Sequence, residues 1–401
     1  MTIEMEKLAI NGGKPVRKDF LVFGSPKIEN EEIEEVVDSL KSGWLSTGPK
    51  VHKFEELFKN YIGCKHALAL NSCTAGLHLS LIVSGVKQGD EVITTPLTFA
   101  ATANTILHIG AKPVFVDVER DSMNINPDLI EEKITNKTKA IIPVHMAGRP
   151  CDMDKTTKIA KKYNLIVIED AAHTIESVYK GKKIGNISPL TCFSFYVTKN
   201  IVTGEGGMVT TNNDEFAEKI QIYGLHGMSK GAWSRYSNKG FKHYQIIYPG
   251  YKYNMMDLQA AIGIHQLPRI DKYLKIREDI WKRYDEAFKD LPVITPKPAE
   301  DNTIHSRHLY TLLINIGKVK ATRDEIQQAL HQEGIGTGIH FIALHLHPYY
   351  QKQFGFKKGD FPNAEFISER TLSLPLSANL TDKDVDDVIA AVRKVVLNYA
   401  K

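Results

Sequence analysis

Cysteine is scarce in this 401-residue chain, which has only Cys64, Cys73, Cys151 and Cys192. Their scattered spacing fits neither a disulfide framework nor a metal site, so reduced thiols and no bound metal are expected. Long apolar runs are missing as well. No stretch of about 18 apolar residues occurs, which leaves no candidate transmembrane helix. Residues 1–24 lack the apolar segment of a secretory signal. A cytoplasmic protein is the expectation. No Gly-x-Gly-x-x-Gly follows a strand-like run, so a nicotinamide dehydrogenase is not indicated. The net charge is only +4 and no basic reading helix is present, so neither nucleic acid nor a membrane is an expected partner. Acidic residues are absent from one long stretch, Lys219 to Met256. There Lys230, Arg235, Lys239 and Lys242 stand among Trp233, Tyr236, Phe241 and Tyr244. Such a segment suits a nucleotide diphosphate, and equally suits an exposed loop with incidental charge.

What is present is an ordinary globular composition, 42% hydrophobic and 24% charged, with chain enough for a large core. From residue 66, strand-like runs (66–71, 91–95, 113–116, 140–144, 165–168) alternate with helix-like stretches (75–86, 100–109, 127–134, 155–163). That alternation predicts an α/β fold with a largely parallel sheet covered on both faces. In such sheets ligands bind beyond the carboxyl ends of the strands, where Asn71-Ser72, Glu169-Asp170 and Lys199 all fall. A helical pattern from Asp257 to about Lys289 follows, then strands at 308–314 and near 338–341, and helices at 323–332 and 382–396. Residues 1–255 therefore read as a large domain and 256–401 as a smaller α/β domain.

The organising stretch runs from Cys192 to Asn212. Phe193, Phe195 and Val197 alternate with smaller or polar residues, as in a half-buried strand. Lys199 follows, in front of Gly204, Gly206 and Gly207. A lysine walled by apolar side chains has a lowered pKa and attacks aldehydes through its amine. Asp170 ends the apolar run 165–168, where a buried aspartate needs a cationic partner. Alternation points Glu169 the other way. Ser72-Cys73-Thr74 opens a helix, which reads either as a simple N-cap or as backbone N–H groups presented to a phosphate.

The pattern Ser194-Phe-Tyr-x-x-Lys199-Asn-x-x-x-Gly204-Glu-Gly-Gly207 resembles the cofactor-lysine segment of the DegT/DnrJ/EryC1/StrS sugar aminotransferases. Further landmarks fall in that family's order: Ser42-Gly-Trp-Leu-Ser-Thr-Gly48, Ser72-Cys-Thr-Ala-Gly-Leu-His78, Glu169-Asp-Ala-Ala-His173, Gly250-Tyr-Lys-Tyr-Asn254 and Ser373-Leu-Pro-Leu376. The resemblance implies the type I aminotransferase fold, pyridoxal 5'-phosphate (PLP) as cofactor, and a homodimer with shared active sites. It implies that Lys199 binds the cofactor's aldehyde and, once freed, carries the proton. It places Asp170 on the ring nitrogen, Phe99 and Ala172 on the ring faces, and His173 on the phenolic oxygen or a substrate group. Ser72, Cys73, Thr74 and Ser194 would hold the phosphate, with Asn254 reaching it from the neighbouring subunit. Glycine is usual in the family where Cys73 stands; backbone donation survives the change.

The implied reaction is transamination of a nucleotide-linked 4-keto sugar, with glutamate as donor and 2-oxoglutarate as product. The 219–256 stretch and Gly334-Ile-Gly-Thr-Gly-Ile-His-Phe341 resemble the branch that makes UDP-4-amino-4-deoxy-L-arabinose, a precursor of lipopolysaccharide or surface glycan. Tyr196, Lys230, Arg235 and His340 are the expected substrate contacts, Tyr196 standing where histidine is common. UDP-4-keto-6-deoxy-hexosamines, dTDP-keto sugars and cyclitol ketones are the alternatives. Lys199 argues against the family's dehydratases, which carry histidine there. A non-enzymatic PLP-sensing regulator would need a DNA-binding domain, for which residues 1–25 leave no room.

Overall fold

Two helices lead into the sheet. The first, α1 (Asn30–Ser42), opens on a capping box in which Glu29 and Glu32 each accept the other's backbone N–H. It stops at Gly43, whose φ of 73° lies in the left-handed region that glycine tolerates. The second, α2 (Pro49–Ile62), starts with proline, which has no N–H to leave unpaired. The computed structural model describes residues 6–229 and 244–401. Lys230 and Arg235, expected as substrate contacts, lie outside the described residues.

The chain then alternates through β1 (His66–Leu70), α3 (Cys73–Val83), β2 (Glu91–Thr94), α4 (Ala100–His108), β3 (Lys112–Phe115), β4 (Thr138–Ile141), α5 (Met153–Lys162) and β5 (Ile166–Asp170). A short hairpin, β6 (Val178–Tyr179) and β7 (Lys182–Lys183), precedes β8 (Leu190–Ser194), β9 (Gly207–Thr211) and α6 (Asp214–Gly224). Seven strands form one sheet in the order β1-β9-β8-β5-β4-β2-β3. Its β2–β3, β2–β4, β4–β5 and β5–β8 pairs are parallel. Strand β9 runs antiparallel to both β1 and β8. The expected α/β architecture is present, as a mixed and mostly parallel sheet.

Alternation along β8 shows how both faces are covered. Phe193 packs with Phe54 and Phe58 on one side, whereas Cys192 packs with Leu77 and Leu79 of α3 on the other. All five residues of β8 are buried, so the half-buried reading of this strand is corrected. The strand also ends at Ser194, and residues 195–199 form the turn that follows.

The remainder comprises α7 (Asp257–Gln266), α8 (Ile270–Phe288), β10 (Val293–Ile294), β11 (Thr303–Ile304), β12 (Tyr310–Ile314), α9 (Arg323–Gln332), α10 (Pro348–Phe354), α11 (Pro362–Ser368), β13 (Thr371–Leu374) and α12 (Asp382–Tyr399). A second sheet, β10-β12-β13, carries the smaller core. The single helix expected over 257–289 is two, separated by a 3-10 turn at Leu267–Arg269; Pro268 removes a backbone donor there. The helix expected at 127–134 is a pair of short 3-10 turns, and the strand near 338–341 reduces to one bridge between Gly338 and Ser373. Ala260, Ile264 and Ile270 pack with Phe54 beneath the large sheet, while Leu8 packs with Trp281, Tyr284 and Val388. On packing, the domain division we propose therefore falls inside α8, with the N-terminal segment belonging to the smaller unit. Among the described residues no helix is long and apolar enough to cross a membrane, and no cluster of His, Cys, Asp or Glu could hold a metal ion.

Candidate active site

The carboxyl end of β1 delivers the start of α3. Ser72 is its N-cap, and its Oγ accepts the Ala75 N–H at 3.0 Å. The first turn of α3 presents its remaining N–H groups and the positive end of the helix dipole. Strand β9 passes against this turn at Gly207, where a Cβ would overlap the Cys73 nitrogen and the Ser72 carbonyl carbon. Only glycine allows that approach. Ser72 caps the helix and also lines a cavity.

Asp170 closes β5. Its Oδ2 accepts the Thr102 hydroxyl at 2.7 Å and its Oδ1 accepts the Ala172 N–H at 3.2 Å. Burial pushes its acid above the usual carboxylate value, against those hydrogen bonds and the positive charge of Lys199. Glu169 points to the opposite face, as alternation requires. There it accepts from His145 Nε2 at 2.8 Å, Ser188 N–H at 3.1 Å and Thr191 Oγ1 at 3.0 Å. Its bonding capacity is spent on structure.

Lys199 sits in the turn after β8, its N–H donating to the Tyr196 carbonyl at 2.8 Å. Burial lowers its amine to about 8, against the pull of the Asp170 carboxylate. Lys199 and Asp170 line one cavity of about 440 Å³. Ser72, Cys73, Thr74, Phe99, Ala172, His173 and Ser194 line it too, as do Tyr196 and His340. Phe99 is 64% exposed at its mouth, so this ring is not core and is available for stacking. Asn254 does not line this cavity. It faces a separate one of about 270 Å³ with Thr47, His52 and Glu55; its Nδ2 donates to Thr47 Oγ1 at 2.6 Å, and its Oδ1 is buried with no partner among the described residues.

His173 and His340 line the cavity, His308 packs behind His173, and burial holds all three neutral. His173 accepts the Ala147 N–H on Nδ1 at 3.2 Å, which leaves its proton on Nε2. Its ring lies 4.5 Å from that of His308. His308 Nδ1 bonds Asn200 Oδ1 at 3.0 Å. The Asn200 amide in turn donates to Glu176 at 2.9 Å and to the Ser306 carbonyl at 3.0 Å. Glu176 pairs with Arg277 of α8, both side chains buried. His340 bonds Ser373 Oγ at 2.9 Å. The turn holding Lys199 is thus tied to α8 and to the segment before β12. None of Thr102, Glu176, Arg277 or His308 was singled out by sequence reasoning. Only the residue type of Asn200, beside the lysine, offered any signal.

The sequence model of the DegT/DnrJ/EryC1/StrS aminotransferase family matches residues 26–393. The chain is 52% identical over 381 residues to the spore coat polysaccharide biosynthesis protein SpsC of Bacillus subtilis strain 168, covering 95% of this chain and 98% of that one. The PLP form of Spr1654, a sugar aminotransferase by its description, from Streptococcus pneumoniae, superposes with a TM-score of 0.86 at 36% identity, covering 94% of this chain and 99% of that chain. PseC of Helicobacter pylori, described as an aminotransferase involved in pseudoaminic acid biosynthesis, gives 0.88 at 32% identity over 95% of this chain and all (100%) of the other.

Proposed function

Because the chain belongs to the DegT/DnrJ/EryC1/StrS aminotransferase family, whose members are PLP-dependent, we propose that it aminates a UDP-linked 4-keto sugar with glutamate as donor. The observation that carries this reading is the meeting of Lys199, Asp170 and the start of α3 on one cavity. Those residues fit PLP: an acid for the ring nitrogen, an amine for the aldehyde, and a helix start that Gly207 keeps clear for a phosphate. When bound, PLP supplies that aldehyde and an electron-withdrawing ring.

The protein's own residues do the rest. The Lys199 amine, half neutral near pH 8, takes a proton from the donor's α-carbon and returns one to the acceptor side. Asp170, as the anion, would keep a proton on the ring nitrogen. Phe99 would cover one ring face and Ala172 the other. His173, with its proton on Nε2, would donate to an oxygen of the cofactor or the substrate. The low amine value has a direct consequence. Uptake of PLP by the cofactor-free protein requires neutral Lys199, so its rate should rise with pH and level off above about 8. Stopped-flow absorbance would show this, and a rate still climbing past pH 10 would contradict it.

His340 and Tyr196 on the cavity wall and the acid-free stretch 219–256 support a nucleotide-sugar acceptor. The likeness to SpsC and PseC, both named for sugar-related biosynthesis, favours sugar over cyclitol. The test runs the reaction backwards: UDP- and dTDP-linked 4-amino sugars, pentose and 6-deoxy-hexosamine, are offered with 2-oxoglutarate and glutamate is measured. Glutamate from the UDP-pentose is the expected result. Glutamate from dTDP sugars alone would refute the nucleotide assignment.

We further read the active protein as a homodimer. Ile33, Val37 and Leu40 form an exposed apolar stripe along α1, continued by Trp44 and Leu45. Patches of this kind mark association surfaces.

A further inference from the structure

Two hydroxyls stand in line behind Asp170. Thr98 lies in the turn before α4 and Thr102 in its first turn, on either side of Phe99. Thr98 Oγ1 is 2.8 Å from Thr102 Oγ1, and Thr102 Oγ1 is 2.7 Å from Asp170 Oδ2. Their exposures are 2%, 0% and 5%, so no bulk water competes for these bonds. An ionised carboxylate only accepts, and a hydroxyl has one proton to give. If Thr102 gives its proton to Asp170, Thr98 must give its own to Thr102. One proton arrangement therefore satisfies the anion, and the second hydroxyl polarises the first. A protonated Asp170 with its hydrogen on Oδ2 would have to reverse the whole line.

We propose that Thr102, backed by Thr98, is a positioning residue that keeps Asp170 ionised and fixes the plane of its carboxylate against the cofactor's ring nitrogen. The proposal rests on the reading of this cavity as the PLP site. The groups facing Asp170 leave this task to hydrogen bonds. Lys199 faces it from the turn after β8, His145 from the segment after β4, Cys73 from α3 and Cys192 from β8. His145 spends its Nε2–H on Glu169, while burial pushes both thiols up and keeps them neutral. His173, three residues on, is neutral as well. Lys199 is the one cation in this set, and its charge is lost as pH rises through about 8. The Thr102 hydroxyl supports the anion at every pH.

The test uses the holoenzyme. Thr102→Val removes the hydroxyl with almost no change of shape, and Thr102→Ser restores it. Losing a hydrogen bond to the charged form raises the acid's pKa. The acid limb of kcat in Thr102→Val should therefore move up by about one pH unit, with PLP dissociating about tenfold more readily. KM for the sugar should stay within about twofold, because the hydroxyl touches no substrate. Thr102→Ser should match the parent. Should Thr102→Val fail to fold, Thr98→Ala, which shortens the line from its far end, should shift the limb in the same direction by less. An acid limb and PLP affinity unchanged in both variants would overturn the proposal. A parent protein with no lysine-dependent PLP absorbance would overturn the cofactor reading beneath it, a distinct result.

Discussion

Lys199→Ala is expected to abolish transamination and to leave PLP held without a covalent link. Among the described residues that line the cavity, Lys199 carries the only side-chain amine. The variant therefore loses the group that captures the aldehyde and the group that moves the proton. Proton transfer by a positioned side chain contributes about 10²–10⁴-fold, and loss of the covalent step adds to that. The folded protein should survive, because a desolvated amine is removed rather than a packed apolar group. Absorbance of the purified variant with added PLP, followed by a single turnover with glutamate, checks both halves. Activity equal to the parent's would contradict the assignment.

A second large effect concerns the shared site. Asn254 faces away from the Lys199 cavity in its own chain, so its expected target lies on another copy. If Lys199 of one subunit works with Asn254 of the other, Lys199→Ala and Asn254→Ala should each be nearly inactive alone. Unfolding and refolding them together in equal amounts should then recover about a quarter of parental activity. Half of randomly paired dimers are mixed, and each mixed dimer holds one intact site of two. No recovery, or a chain sedimenting at the mass of one 45.0 kDa copy, would contradict the shared arrangement.

What could be read beforehand follows the reach of each signal. Strand ends, the lysine, the acid and the helix start are local patterns of a few residues, and Ser72, Asp170 and Lys199 do converge on one cavity. The opposite orientations of Asp170 and Glu169 follow from the period of two along β5. Failures came where tertiary packing decides. Nothing local says that β8 is covered on both faces, because that depends on Phe54 and Phe58 lying more than a hundred residues earlier. The partners of Asn200 come from Glu176, Ser306 and His308, and no periodicity links them. Thr102 looks like any buried helix threonine until Asp170, 68 positions away, is seen beside it. The apolar pattern 127–134 has helical spacing but settles into two short turns.

The central claim is that one particular lysine carries the cofactor. Borohydride reduction of the protein loaded with PLP, followed by digestion and mass mapping, tests it most directly. The account predicts a single phosphopyridoxyl tag, on the peptide containing Lys199. A tag on another lysine, or none at all from protein that has bound PLP, would contradict it.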